Sequence, residues 1–285
     1  MDLRGGPPGR LLVTADDFGW SPAVNAAVGQ ASADGILTGA SLMVTGEAAG
    51  EAVALARGRP ALAVGLHLAL SGAFPALPPG RIPHLVGRDG RLEPDPVRAG
   101  LRYGTSAAAR RELEAEIEAQ FARFAATGLA LSHVDGHHHL HLHPAAFPLV
   151  AELARRHGAL GVRLPWEGLA ALSEARPRRA ALEALALGAL ARRWRPLARR
   201  HGLAFAPRVH GIVRSGCMDA PYLTRLIDRL ESRVTEIFLH PSTDPGRARG
   251  PNPGDLAALV APAVRSAIAA RGLVLGTYAD LEADA

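Results

Sequence analysis

The sequence predicts an α/β fold, a single-domain (β/α) TIM-like barrel over residues 1–285, on three observations. Short apolar segments recur roughly eight times, helix-like stretches separate many of them, and polar residues gather at the C-terminal ends of several segments. Alternating strands and helices give a mainly parallel sheet, and in a barrel the C-terminal strand ends form one rim where residues distant in sequence meet. A doubly wound sheet also collects ligands at strand C-termini and is the alternative. A chain of 285 residues, 48% apolar, is long enough to bury such a core.

Taken in order, the first segment is 11–15, ending in Asp16-Asp17-Phe18-Gly19, followed by 37–44 and by 62–68, which carries His67 near its end. Residues 71–96, rich in Gly, Pro and Arg, read as a long loop over the rim. The clearest helix runs over 106–127, with Leu113, Ile117, Phe121 and Phe124 on one face and Gly128 as its stop. Segment 129–134 then leads into His133-Val134-Asp135-Gly136-His137-His138-His139-Leu140-His141-Leu142-His143. Arg163 lies within 162–164, and 178–195 reads as a helix with Leu182, Leu185, Ala189 and Leu190 along one side and arginines at both ends. The remaining strands are 208–213, 236–239 with His240 closing it, and 273–278; residues 243–254 form a second rim loop.

Composition narrows the class. One cysteine, Cys217, permits no intramolecular disulfide and no cysteine metal site, so any metal must sit on His and carboxylate. Residues 1–10 carry Gly and Pro where a signal peptide needs an apolar run, and later apolar stretches are broken before spanning length, so a soluble cytoplasmic protein is expected. The net charge of +5 arises without a single lysine. Arginines spread along the chain with few aromatics between them argue against a nucleic-acid partner.

The chemistry begins at Asp16 and Asp17, because burying a carboxylate after an apolar strand costs several kcal/mol unless a partner is present. A cation resolves that cost: one acid can bind the metal while its neighbour serves a bound water as general base. The competing reading is a helix N-cap before residues 22–31. His67 alone reads as a core histidine, but six of the twelve histidines fall between His133 and His143. Neutral imidazole is a common ligand for divalent metals. An expression tag would not be internal and interrupted, and a storage tract would leave the two acids unexplained. Spacing does not select the ligand, since His137 pairs with His141 on a helix and with His139 on a strand. Arg163 needs a partner if buried, and Glu236 is a candidate. His240 ends its strand either as a catalytic acid or as a loop cap.

These residues resemble the YdjC-like carbohydrate deacetylases, and more closely the hopanoid-biosynthesis-associated deacetylase branch. The resemblance spans nearly the whole chain and rests on Thr14 to Gly19, Gly65-Leu66-His67-Leu68, His133-Val134-Asp135 with His137, Val162-Arg163-Leu164-Pro165 and Thr235 to Pro241. It implies a distorted barrel, removal of acetyl from an N-acetylated sugar, one divalent metal on Asp17, His67 and His137, and Asp16 as base. His240 is then the expected acid, and Asp135, Arg163 and Glu236 the expected substrate-binding residues. Magnesium is the ion usually named for the family; an Asp-His-His set also suits zinc or another transition ion. Related proteins imply a homodimer.

The stretch Asp135-Gly136-His137-His138-His139 departs from the hopanoid branch and is closer to the chitooligosaccharide-type motif. The substrate is therefore an N-acetylglucosaminyl hopanoid or a chitooligosaccharide. A glycolipid substrate would bring the 178–195 helix to a membrane surface. A metal-dependent phosphoesterase and a non-catalytic metal or sugar binder are the competing functions.

Overall fold

The computed structural model describes residues 9–174, 178–244 and 250–281. In chain order the first half contains β1 (Gly9–Phe18), α1 (Pro22–Asp34), β2 (Gly39–Leu42), α2 (Ala49–Arg57), β3 (Ala63–Leu68), α3 (Pro96–Thr105), α4 (Ala107–Ala126), β4 (His133–Gly136) and α5 (Phe147–Arg156). The second contains β5 (Gly161–Val162), α6 (Leu169–Ser173), α7 (Arg179–Arg200), β6 (Arg208–His210), α8 (Ala220–Asp228), β7 (Val234–Leu239), α9 (Pro253–Leu259), α10 (Pro262–Ala270) and β8 (Leu273–Gly276). All eight expected strands are present. The fourth starts at His133 rather than at 129, and residues 245–249 of the expected second rim loop lie outside the described residues.

Every strand pairing is parallel, in the order β5-β4-β3-β2-β1-β7-β6. The eighth strand does not occupy a full place in the ring. It pairs with the lower half of β1, Gly9 to Leu12, on the side where β2 takes the upper half. Between β5 and β6 the ring closes through irregular chain: Val162 N donates to Ala204 O (2.9 Å), Ala204 N to Leu160 O (3.0 Å) and Val209 N to Trp166 O (3.3 Å). This is a distorted (β/α) barrel, and the irregular seam is its distortion.

Local sequence explains the helix that braces the site. Ser106 caps α4 by accepting from Ala109 N, and Gly128 at φ 70° turns the chain out of it. Leu113, Ile117 and Phe121 are buried as their spacing predicts, each worth about 1.5–3 kcal/mol. The same face also buries Glu116 and Gln120. Gln120 exchanges two hydrogen bonds with the Ala69 backbone (2.8 and 2.9 Å), and Glu116 accepts from Ala76 N (2.6 Å) and Leu77 N (2.9 Å). These bonds tie the chain leaving β3 to α4, just beyond His67.

Helix α7 does not turn its leucine side inward. Leu182 and Leu185 are 71% and 56% exposed and Ala189 is also exposed, while Ala180, Ala184, Gly188, Ala191, Trp194 and Ala198 are buried. The buried stripe is mostly small, which lets the helix approach closely: a Cβ on Gly188 would stand 3.2 Å from Trp166 Cδ1. Among the described residues no helix is long and apolar enough to cross a membrane.

Candidate active site

The adjacent acids reach the same interior through a bulge. The β1–β2 register shifts between Ala15 and Phe18, and Asp17 takes φ 61°, a left-handed conformation unusual for a non-glycine residue. In a regular strand neighbours point to opposite faces; here both carboxyls are buried at 2% exposure and line one cavity. Gly19, at φ 91°, continues the turn where a Cβ would press on Met43 O and Ala49 Cα, and its N–H donates to Asn25 Oδ1 (2.9 Å). Helix α1 is capped by Ser21, so neither aspartate serves as its N-cap.

The histidine-rich stretch is neither of the regular forms that its spacing allowed. Strand β4 stops at Gly136, and the 3-10 segment His137–Leu142 is broken by His138 and His139 at φ 54° and 56°. This break disperses the imidazoles. His137 turns to Asp17, His138 Nδ1 meets Ser71 Oγ (2.8 Å), His139 packs edge-on against Phe238, and His141 points back to the Arg163 carbonyl (3.0 Å). Of the three candidates left open by spacing, only His137 joins Asp17 and His67.

Ligand atoms of Asp17, His67 and His137 all lie within 4.8 Å of one another. Asp17 Oδ1 is 2.9 Å from His137 Nδ1 and 3.4 Å from His67 Nε2. The other ring nitrogen of His67 sits 2.8 Å from Asp135 Oδ1, a carboxylate contact that directs Nε2 into the site. A second group, Asp16, His67 and Asp135, also has the spacing for a metal. Three of its four carboxylate oxygens are already engaged, since Arg163 Nη1 lies 2.7 Å from both Asp16 Oδ2 and Asp135 Oδ2, Ser41 Oγ donates to the latter (2.7 Å), and Asp135 Oδ1 meets His67.

Arg163 is the hub beneath the site. It is fully buried, donates from Nε to Glu236 Oε1 (2.8 Å) and from Nη2 to Thr14 Oγ1 (2.8 Å), and its guanidinium stacks over Phe238. Tyr278 OH donates to Glu236 Oε2 (2.7 Å). Arg163, Glu236 and Asp135, expected as substrate-binding residues, are each 0% exposed and are not among the residues that line the cavity. The interior arginine needed several carboxyl partners at once, and Glu236 is only one of them.

The cavity above measures about 700 Å³ and is lined by Asp16, Asp17, His67, His137, His240 and Trp20 among others. His240 follows β7, its N–H donates to Asp255 Oδ2 (2.9 Å), and its buried Nδ1 has no partner. Trp20 stacks on His137 with centroids 5.7 Å apart. Sequence reasoning missed Trp20, Asn25 and Asp255. The signal for Asn25 was a polar residue among the small apolar ones of 22–31, whereas nothing in spacing marks Asp255.

The site gathers buried charge. Asp16, Asp135 and Glu236 each lie 2.7–2.8 Å from the Arg163 guanidinium, Asp17 lies beside His67 and His137, and Asp16 Oδ1 is buried without a partner. Burial opposes ionisation of Asp17 and Asp135, yet His137 and His67 hold Asp17, and Arg163 and His67 hold Asp135, well below the usual carboxylate range. Burial likewise disfavours charge on His67, but Asp135, Asp17 and Asp16 outweigh it and raise the imidazole to about 10. A divalent ion on Asp17, His67 and His137 fits this donor set.

A pH prediction follows for the metal-free protein. His67, raised from 6.5 to about 10, contributes its full stability below 6.5 and loses it as the pH climbs through 10. Asp17, held below its ordinary 3.8, contributes above 3.8 and loses its share as the pH falls toward the folded value. Metal-free protein should therefore weaken at alkaline pH, and metal uptake at pH 8 should release about one proton from His67. Calorimetry in two buffers of different ionisation enthalpy measures that proton, and zero release would contradict the assignment.

Several known proteins are similar to this chain. The carbohydrate deacetylase of Geobacillus stearothermophilus is 32% identical over 278 residues, covering 95% of this chain and 97% of that one. The chitooligosaccharide deacetylase of Serratia marcescens is 32% identical over 95% of this chain and 98% of its own. The carbohydrate deacetylase of Brevibacillus brevis is 42% identical over a shorter stretch, 55% of this chain and 60% of that one. A crystal structure from Enterococcus faecalis V583, described in terms of cellobiose-phosphate cleavage, superposes with a TM-score of 0.72 at 24% identity over 95% of this chain and 98% of that one, which speaks for the fold alone. The family model of the YdjC-like proteins matches residues 10–270, and the chain belongs to that family.

Proposed function

We propose that this protein is a metal-dependent carbohydrate deacetylase that hydrolyses the acetamide of an N-acetylated amino sugar. The observation that carries the reading is the convergence of Asp17, His67 and His137 beside a separately held acid, Asp16, on one cavity. The two near-full-length relatives, a carbohydrate deacetylase and a chitooligosaccharide deacetylase, support the reaction class. One carboxylate and two imidazoles favour zinc or another transition ion over magnesium, which prefers oxygen ligands.

A divalent ion held by these three residues supplies Lewis-acid chemistry toward an amide carbonyl and acidifies water. Asp16, fixed by Arg163 at one oxygen and unbonded at the other, takes the proton from the attacking water. His240, which lines the cavity, gives a proton to the departing amine. Trp20 offers an aromatic platform for a sugar ring. Trp20→Ala is expected to raise KM about tenfold with a smaller change in kcat, and steady-state kinetics decide it, since equal losses in both would remove the platform role.

The finer substrate in this reading is an N-acetylglucosaminyl hopanoid at a membrane surface. Pro96 and Glu183 line the cavity, and next to them α3 and α7, both packed on the 137–142 segment, expose Val97 (69%), Leu101 (63%), Leu182 (71%) and Leu185 (56%). Such an apolar rim suits an apolar aglycone. The test measures acetate and phosphate release from chitobiose-type oligosaccharides, N-acetylglucosaminyl bacteriohopanetetrol and phosphomonoesters, using protein of measured metal content. Acetate from the glycolipid, reduced by Leu182→Ser/Leu185→Ser while the oligosaccharide rate is unchanged, supports the full reading. Acetate only from oligosaccharides leaves the chitooligosaccharide reading, phosphate release replaces it with a phosphoesterase, and tight binding without turnover replaces it with a binder.

A further inference from the structure

Away from the cavity, at the barrel seam, four arginines crowd two aromatic rings. Arg208 lies 3.8 Å and Arg195 4.5 Å from the Trp166 centroid, Arg192 lies 5.4 Å from it, and Arg195 and Arg199 lie 5.2 and 5.0 Å from Phe205. Trp166 and Phe205 come from the two irregular segments that close the barrel, and three of the arginines come from α7. The rings thus alternate with guanidiniums, an arrangement that clasps α7 to the seam.

A clasp alone does not need so much charge. A cation–π contact is worth about 0.5–2 kcal/mol, whereas guanidiniums on neighbouring rungs repel by a comparable amount at protein-like dielectric. An acidic neighbour is Glu231, whose Oε2 is 3.8 Å from Arg208 Nε, too far for a hydrogen bond. Arg195 gives one Nη2 bond to Pro207 O (2.8 Å), and the buried Nε atoms of both Arg195 and Arg208 have no partner. Burial and the charges of Arg208, Arg199 and Arg192 pull Arg195 down to about 10. Four guanidiniums gathered around two neighbouring rings with few acceptors suit a phosphate group, whose oxygens accept forked bonds from arginine.

We propose that Arg192, Arg195, Arg199 and Arg208 form a second binding site, specific for a phosphate group and separate from the deacetylation cavity. None of the four lines that cavity. The ligand is a phosphomonoester or a lipid phosphate headgroup; the chemistry that recognises them is the same.

The experiment titrates full-length, metal-loaded protein with inorganic phosphate and glycerol 3-phosphate by calorimetry, and with phosphatidylcholine vesicles with and without phosphatidic acid by flotation. Arg192→Gln/Arg199→Gln removes two exposed members and leaves Arg195 and Arg208 on Trp166; Arg110→Gln/Arg111→Gln on α4 removes the same net charge elsewhere. Circular dichroism and Tm without ligand confirm that both variants fold. Expected is a loss of at least about tenfold in phosphate affinity in the first variant and none in the second. Binding of soluble phosphates alone assigns a soluble ligand, and binding that needs phosphatidic acid assigns a lipid headgroup. Phosphate held at the metal would survive in the first variant, so undiminished binding there overturns the site, as do equal losses in both variants or no binding in either assay.

Discussion

Asp16→Asn, with metal content equal to wild type, is expected to lower deacetylase turnover by ~10² to 10⁴, the usual loss on removing a general base. The substitution keeps the shape of the side chain and leaves an oxygen for Arg163, whose Nη1 bonds Asp16 Oδ2 at 2.7 Å. What it removes is the capacity to take a proton at Oδ1, the oxygen that has no partner. Asp17, His67 and His137 are untouched, so binding of the ion should persist. Turnover near that of wild type in the metal-replete variant would move the base elsewhere in the cavity.

Arg163→Leu is expected to destabilise the fold by ~3–5 kcal/mol, because removing one partner of a buried ionic group strands the others. Here the stranded groups are Asp16, Asp135 and Glu236, each lying 2.7–2.8 Å from a nitrogen of the same guanidinium. Arg163→Lys separates charge from geometry: one ammonium keeps the positive charge but cannot span three carboxyls from a rigid fork. Its loss should be intermediate. Urea unfolding reads both, and a Lys variant as stable as wild type would show that charge alone is needed.

Much of this arrangement was legible before any coordinates. The apolar runs located all eight strands because a buried parallel strand must be apolar on both faces. Arg163 and Glu236 were legible as a pair because an unpaired interior charge is costly. Asp16 and Asp135 as further partners were not, since pairing across the barrel leaves no trace in spacing.

The bulge at Asp17 was hidden because the apolar pattern of β1 runs straight into it. Periodicity failed again at His137, where left-handed His138 and His139 obey neither repeat and only family resemblance selected the ligand. The inward face of α7 was not legible for a different reason. Its alanine stripe and its leucine stripe share one helical period, and close packing chose the smaller residues.

The seam has a consequence for motion. Strands β1 to β4, which carry Asp17, His67 and the approach to His137, are joined by parallel ladders broken only by the bulge between Ala15 and Phe18, and β1 is paired along both edges. Across the seam only a few backbone bonds close the ring, at Val162, Ala204 and Val209. Amide hydrogens at Ala204 and Val209 should exchange with solvent by local opening well before those of Val13 or Leu66, which await global unfolding. The barrel can therefore breathe along one edge while Asp17, His67 and His137 stay assembled on the other.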